Sequence, residues 1–141
     1  NEGVAANVTR TKGSLGYVEY AYAKRNNIAV MALQNRNGNY VMPDDITFRA
    51  AAAGADWFSV PGMGLSIVNQ PGADAYPVTT ASFILMYKQP VDKAQSVDVL
   101  KFFDWAFKNG KQLALDLEYV PLPDNLTQQI RDRVWTQINT K

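Results

Sequence analysis

Cysteine and histidine are both missing from the 141 residues. Zinc sites, haem ligation through His or Cys, cysteine nucleophiles and Ser-His-Asp triads are therefore excluded within this chain. The lack of cysteine leaves the redox compartment open, since exported bacterial proteins often have no disulfides. No apolar run approaches the roughly 20 residues needed to cross a bilayer. Neither sign of charge dominates: 14 basic and 13 acidic residues give a net +1, with no Lys/Arg stripe, which argues against nucleic acid as the main partner. The chain opens at Asn1-Glu2-Gly3 with neither an initiator Met nor a signal peptide, so a processed or incomplete polypeptide is expected. At 47% hydrophobic, the length suits one core-forming domain and is too short for two of ordinary size.

The stretch from Tyr76 to Lys88 organises the rest. Pro77 fixes φ and removes an amide donor, so it belongs at a strand's beginning or on an edge. Phe83 to Tyr87 is apolar on both faces, which predicts a strand buried on both sides. A core helix of about one and a half turns is the competing reading; the Thr pair, the aromatics and the closing Lys-Gln-Pro favour the strand. The one plausible seam in the chain is the loop before Tyr76.

Around this stretch the pattern predicts mostly helix. Gly3 to Arg10 forms a short helix with Val4, Ala5 and Val8 as its apolar edge and Asn1 as a possible cap. Gly16 to Tyr20 reads as a strand, and Ala21 to Lys24 as a short helix. Ile28–Leu33 and Asn39–Val41 flank Asn37-Gly38, a type I′ hairpin signal. Pro43-Asp44-Asp45 opens a helix with Ile46, Arg49, Ala50 and Ala53 along one side and Gly54 at its end. After the loop-rich stretch from Ala55 to Ala75 and the organising strand, Gln89 to Gln95 is a polar connection. Ser96 then caps a helix from Val97 to Asn109, stopped by Gly110, with Val99, Leu100, Phe103, Ala106 and Phe107 as its stripe. Lys111 to Leu117 continues as a second short helix. Leu122-Pro123-Asp124 starts a last one on Leu126, Ile130 and Val134. Trp105 and Trp135 fall off these stripes.

Candidate chemistry is sparse. Glu19 could be a buried general base, but no second acid or nucleophile stands at a related spacing, so a structural or exposed carboxylate is favoured. Asp44 and Asp45 could hint at a metal, yet adjacent acids at a helix start complement its positive end. Gly62-Met63-Gly64 lacks the third glycine and preceding strand of a phosphate loop. Tyr17, Tyr20 and Tyr22 could form a stacking platform; with no basic groove beside them, packing is favoured. Asn7-Val8-Thr9 and Asn125-Leu126-Thr127 match the glycosylation sequon but lie in predicted helices, which favours chance.

Resemblance adds what spacing cannot. Asn1-Glu2-Gly3-Val4-Ala5-Ala6-Asn7-Val8, Gly13-Ser14-Leu15-Gly16-Tyr17-Val18-Glu19-Tyr20-Ala21-Tyr22-Ala23, Gly54-Ala55-Asp56-Trp57, Ala75-Tyr76-Pro77-Val78-Thr79, Val99-Leu100-Lys101-Phe102-Phe103-Asp104-Trp105-Ala106 and Tyr119-Val120-Pro121-Leu122-Pro123 resemble the C-terminal half of the periplasmic phosphate-binding protein of bacterial ABC phosphate transporters. The resemblance implies part of an α/β, two-lobed, type II-like periplasmic-binding-protein fold, with mixed sheets flanked by helices. It makes residues 1–75 part of the second lobe and 76–80 a hinge strand built on Tyr76, Pro77, Val78 and Thr79. Residues 81–141 become the returning part of the first lobe.

The family's phosphate ligands lie in its first half: a Ser-Gly-Thr stretch with a nearby Arg, and Thr, Ser and Asp residues of the first lobe. No phosphate ligand is carried over to this segment, and no catalytic, cofactor or metal residue is expected. The implied partners are inorganic phosphate, bound only by the complete protein, the ABC permease of the inner membrane, and the missing N-terminal half; the implied location is the periplasm. Trp105 and Trp135 are expected on the surface that half would cover. A binding protein for sulfate, molybdate or another oxyanion is the nearest alternative. A phosphate-ester hydrolase would need a nucleophile or metal cluster that is not visible. An interaction module or chemotaxis-type receptor would bind a partner without phosphate-dependent change.

Overall fold

A computed structural model describes all residues, 1–141. The chain is mixed helix and strand. Helices are α1 (Glu2–Arg10), α2 (Tyr20–Arg25), α3 (Asp45–Gly54), α4 (Lys93–Asn109), α5 (Lys111–Asp116) and α6 (Asp124–Gln129). The sheet is one antiparallel pair, β1 (Leu33–Gln34) with β2 (Tyr40–Val41), in register Leu33 to Val41 and Gln34 to Tyr40.

Local chemistry explains where these elements start and stop. Asp44 caps α3 in a reciprocal box: its carboxylate accepts from Thr47 N at 2.8 Å, and Thr47 Oγ1 accepts from Asp44 N at 3.1 Å. The face of α3 that is buried carries Thr47, Ala51 and Ala52. The expected side through Ile46, Ala50 and Ala53 is not the core face, and Ile46 is exposed. Gly54 ends α3 against Pro71, where a Cβ would lie 2.5 Å from the Pro71 carbonyl oxygen. Helix α4 begins earlier than Ser96: Asp92 is the cap, accepting from Gln95 N at 2.8 Å, and the Ser96 hydroxyl turns back to the Asp92 carbonyl. Asp92 prevails because Lys93, Ala94 and Gln95 are good helix formers that add a turn. Asn1 flanks α1 without a capping bond, and its side chain instead accepts from Glu19 N.

The hairpin turn departs from type I′. Gly38 N donates to Asn35 O, Asn35 N donates to Asn39 O, and Gly38 has φ 87° while Asn37 stays out of the left-handed region. That is a turn centred on Arg36-Asn37 with a glycine bulge, the usual three-residue loop. The buried Asn35 side chain locks it, accepting from Asn37 N and Asn39 N and donating to the carbonyls of Gly72 and Ala73.

The core is small. Ala52, Trp57, Ile67 and Leu126 form its centre, with Phe58, Met63, Leu122 and Ile130 packed around it. The indole of Trp57 donates to the Ala52 carbonyl at 2.8 Å, satisfying its one donor. The stripe of α4 is where expected, but its members are only half-buried. Beyond Gln129 the last helix widens into a π turn (Ile130–Val134) and a final 3-10 turn (Trp135–Gln137). Here Trp135 stacks on Phe107, centroids 5.7 Å apart and planes 7° from parallel. Trp135 is half-buried there and borders a large apolar space. Trp105 is 53% exposed.

Arg131 ties α4 to this terminal turn. Its Nε donates to Asp104 Oδ1 at 2.7 Å, and its guanidinium covers the Phe107 and Trp135 rings.

Only 16 of 141 residues are buried, and the accessible surface is 9664 Å². A compact monomer of 15.7 kDa would expose about 7,300 Å². The excess is spread over large apolar side chains. Leu85 is 92% exposed, Tyr17 90% and Leu15 79%. No helix is long and apolar enough to cross a membrane.

Candidate functional site

The segment Ala75–Thr79 is held from three sides. Tyr76 N donates to Thr47 O at 3.1 Å, joining the segment to the first turn of α3. Pro77 has no N–H to offer, but its carbonyl accepts from Asn69 N at 2.8 Å. Thr79 is buried, and its hydroxyl donates to the Tyr76 carbonyl at 2.9 Å. The Tyr76 ring meets Phe48 edge-on at 5.4 Å, and Phe48 meets Tyr20 at 5.2 Å, making a column of three rings from α2 through α3 to this segment. Burial keeps the Tyr76 hydroxyl above its ordinary pKa of 10.0 by disfavouring the phenolate.

Beyond Thr79 the buried-strand expectation is overturned. Val78 through Tyr87 make no backbone–backbone hydrogen bond, apart from the Asn69 contact to the Pro77 carbonyl just before them, and Phe83, Ile84, Leu85 and Tyr87 are exposed. The backbone is neither helical nor laddered, because no other segment of the chain lies in register beside it. The expected strand at Gly16–Tyr20 fails in the same way. Leu15 to Val18 are unpaired, and Tyr20 is already the first residue of α2. Ala29 to Ala32 are likewise unpaired, so the first half of the expected hairpin strand is missing.

These three unpaired stretches line one space of about 1590 Å³, and 40 of its 58 lining residues are hydrophobic. Small-molecule pockets run to roughly 300–1,000 Å³ with a few convergent polar groups. This space is too large and too greasy to hold an inorganic dianion, and the stretches that line it have unpaired backbones. Leu126 borders it from the far side, and Phe83 reaches Trp57 edge-on at 6.4 Å.

The remaining candidates have structural roles. Glu19 stands exposed at the start of α2, and hydrogen bonding to it, then its charge, raises the Tyr119 hydroxyl above 10.0. Asp44 is the cap already described, and Asp45 pairs with Arg49 at 2.9 Å. Gly62-Met63-Gly64 lies in and after a single 3-10 turn. Tyr20 and Tyr76 share the ring column, whereas Tyr17 points to solvent, so Tyr17, Tyr20 and Tyr22 form no platform. Asn7 and Asn125 both lie in helices, with Thr127 buried.

Sequence reasoning missed the contacts that join early and late residues, such as Lys24 with Glu118 at 2.6 Å and Arg133 over the Phe58 ring at 3.5 Å. Their long sequence separation leaves no local signal.

By comparison with curated proteins, the chain is similar to binding proteins. In particular, it matches proteins named "Phosphate-binding protein PstS": one from Pasteurella multocida at 49% identity over 140 residues, and one from Haemophilus influenzae at 44% over 138 residues. A third, from Xylella fastidiosa, is 50% identical over 130 residues. These alignments take in 99%, 98% and 92% of the chain but 41%, 41% and 36% of the relatives. The chain thus spans about two-fifths of the length of the relatives it matches, within their C-terminal part. The resemblance read from Gly16-Tyr17-Val18-Glu19-Tyr20-Ala21 and Leu100-Lys101-Phe102-Phe103-Asp104-Trp105-Ala106 is real and extends over nearly the whole chain. The three relatives are named as binding proteins, not enzymes. No protein-family model matches.

Proposed function

We propose that this chain is part of the phosphate-binding component of an ABC transporter, working in the periplasm and delivering inorganic phosphate to the membrane permease. The observation that carries the reading is 44–50% identity to phosphate-binding proteins over nearly all of the chain. The fold is then a portion of a two-lobed, type II-like α/β clamp. Residues 1–75 belong to the second lobe, 76–80 cross between lobes, and 81–141 return to the first. Tyr76, Pro77, Val78 and Thr79 form the hinge. Support for that assignment comes from the contrast within this segment: Tyr76 and Pro77 carry backbone hydrogen bonds, and Val78 to Tyr87 carry none. The unpaired apolar stretches find their ladder partners in the N-terminal half.

Phosphate meets its ligands on that other half. Backbone amides, hydroxyls and an Arg hold the dianion, with helix N-termini favouring negative charge. An Asp acceptor selects a protonated phosphate over sulfate, since an unprotonated oxygen facing a carboxylate is repelled. Closure of the lobes about the hinge reports loading to the permease.

Tryptophan emission of the complete protein, titrated with phosphate and with sulfate, tests this. Saturable phosphate binding with sulfate at least about a hundredfold weaker is expected, since a mispaired buried oxyanion costs several kcal/mol. Equal affinity for the two anions, or no phosphate response, sinks the proposal.

A further inference from the structure

The sequence holds two Asn-Gly pairs, Asn37-Gly38 and Asn109-Gly110. Such a pair can modify itself: the glycine nitrogen attacks the asparagine side-chain carbon Cγ, and no side chain on the glycine hinders the approach. The structure puts the two pairs in opposite settings.

Asn109 is the last residue of α4. Its Nδ2 donates to the Trp105 carbonyl at 2.9 Å, and Gly110 N donates to the Ala106 carbonyl at 2.7 Å. A Cβ at Gly110 would lie 2.6 Å from that same Ala106 oxygen, so the surroundings of the attacking nitrogen are already filled. Ring closure there requires the end of a 17-residue helix to unwind.

Asn37 sits exposed at the tip of the hairpin. Nothing lies within 4 Å of the position that a Cβ on Gly38 would take, and the Gly38 N–H is held by one turn bond, to Asn35 O at 2.9 Å. Asn37 Oδ1 accepts from Gly72 N at 3.2 Å. That oxygen takes up negative charge when Cγ is attacked, so the Gly72 amide stands where an oxyanion donor would. Loss of a single exposed hydrogen bond therefore frees the nucleophile beside a carbonyl that is already polarised.

We propose that Asn37 is a site of spontaneous deamidation, and that its conversion loosens the loop leading into Tyr76. The Gly38 nitrogen gives its proton to water or hydroxide and bonds to Cγ. Ammonia leaves with the side-chain nitrogen, and a five-membered imide closes. Water then opens the imide. Addition at Cγ gives aspartate; addition at the main-chain carbon gives isoaspartate, with one extra methylene in the backbone. That methylene falls inside the loop closed by Asn35 N on Asn39 O at 2.8 Å. Asn35 Oδ1 spans the same loop, accepting from Asn37 N and Asn39 N at 3.0 and 3.1 Å. The loop also holds the segment before Tyr76: Asn35 Nδ2 donates to the Gly72 and Ala73 carbonyls at 3.2 and 2.7 Å, and Asn39 Nδ2 to the Ala73 carbonyl at 3.1 Å. Isoaspartate misplaces all three asparagines at once.

The test incubates the complete protein in mildly alkaline buffer, folded and in urea, and follows both pairs by peptide mapping. In the folded protein, amide-to-acid conversion at Asn37 is expected to outpace that at Asn109 by about tenfold or more, whereas in urea the two rates converge. A smaller ratio in the folded protein overturns the site. Hydrogen exchange at Gly72–Ala75 should quicken in the isoaspartate-bearing fraction and stay unchanged in Asn37→Asp, which keeps both the acceptor and the backbone length. Unchanged exchange in that fraction, or equal quickening in Asn37→Asp, overturns the loosening. None of these readouts depends on phosphate binding.

Discussion

Asp104 is the residue on which the late helices converge. Lys108 from the next turn of α4 and Arg131 from the terminal turn both donate to its carboxylate, and these hydrogen bonds, Lys108 first, hold its pKa below the ordinary 3.8. A depressed carboxylate contributes stability above the unfolded-state value and loses it as pH falls through the lower folded value. The complete protein should therefore lose stability on acidification below about pH 4 more steeply than its Asp104→Asn variant. Urea midpoints measured between about pH 3 and 6 check this; parallel curves for the two proteins would remove Asp104 from the account. Arg131 also explains why Trp135 defied its stripe. The projection that put Trp135 on an outer face assumes α-helical spacing throughout. The π turn at Ile130–Val134 inserts one residue and rotates the residues beyond it by about 100°. That turn has no signature in Arg131-Asp132-Arg133, so the stack on Phe107 was not legible, whereas the exposure of Trp105 was.

Helices set by near neighbours were readable in outline, though the cap of α4 and the hairpin turn type were misread; elements completed by distant residues were not readable. The Asp44 box, the stop at Gly54 and the short helices α2 and α5 follow from residues within a turn of each other. The buried strand expected at Phe83–Tyr87 is not formed: the backbone there is non-helical but unpaired, and its large side chains are exposed. A strand is completed by another strand, and periodicity says nothing about whether one lies alongside. Hydrogen exchange gives the element its own test. In the isolated chain, amides from Val78 to Tyr87 should exchange within seconds while those inside α4 are slowed by orders of magnitude. In the complete protein both should be slow. Slow exchange of Val78–Tyr87 in the isolated chain would mean that a ladder forms there after all, and rapid exchange in the complete protein would remove the pairing partner proposed above.

At the scale of the whole molecule, composition promised a core that this much chain does not finish. Forty-seven per cent hydrophobic residues yield a centre of four well-buried side chains and a surface about a third larger than compactness requires. The resemblance was legible because it runs over nearly the whole chain, at 44–50% identity, whatever the packing of this segment. The site was not, since no residue of this segment offers an anion ligand by its spacing, and the chain spans about two-fifths of the relatives it matches.

The unpaired ribbon from Val78 to Tyr87 carries a consequence for biogenesis. Phe83-Ile84-Leu85-Met86-Tyr87 has no charge and no proline, which makes it a template for stacking against its own copies. In the relatives the matching segment lies in the C-terminal part. Made alone, the chain should form thioflavin-positive aggregates at micromolar concentration, and Leu85→Lys should prevent them. A clear, monomeric solution of the unaltered chain would show that the ribbon is harmless.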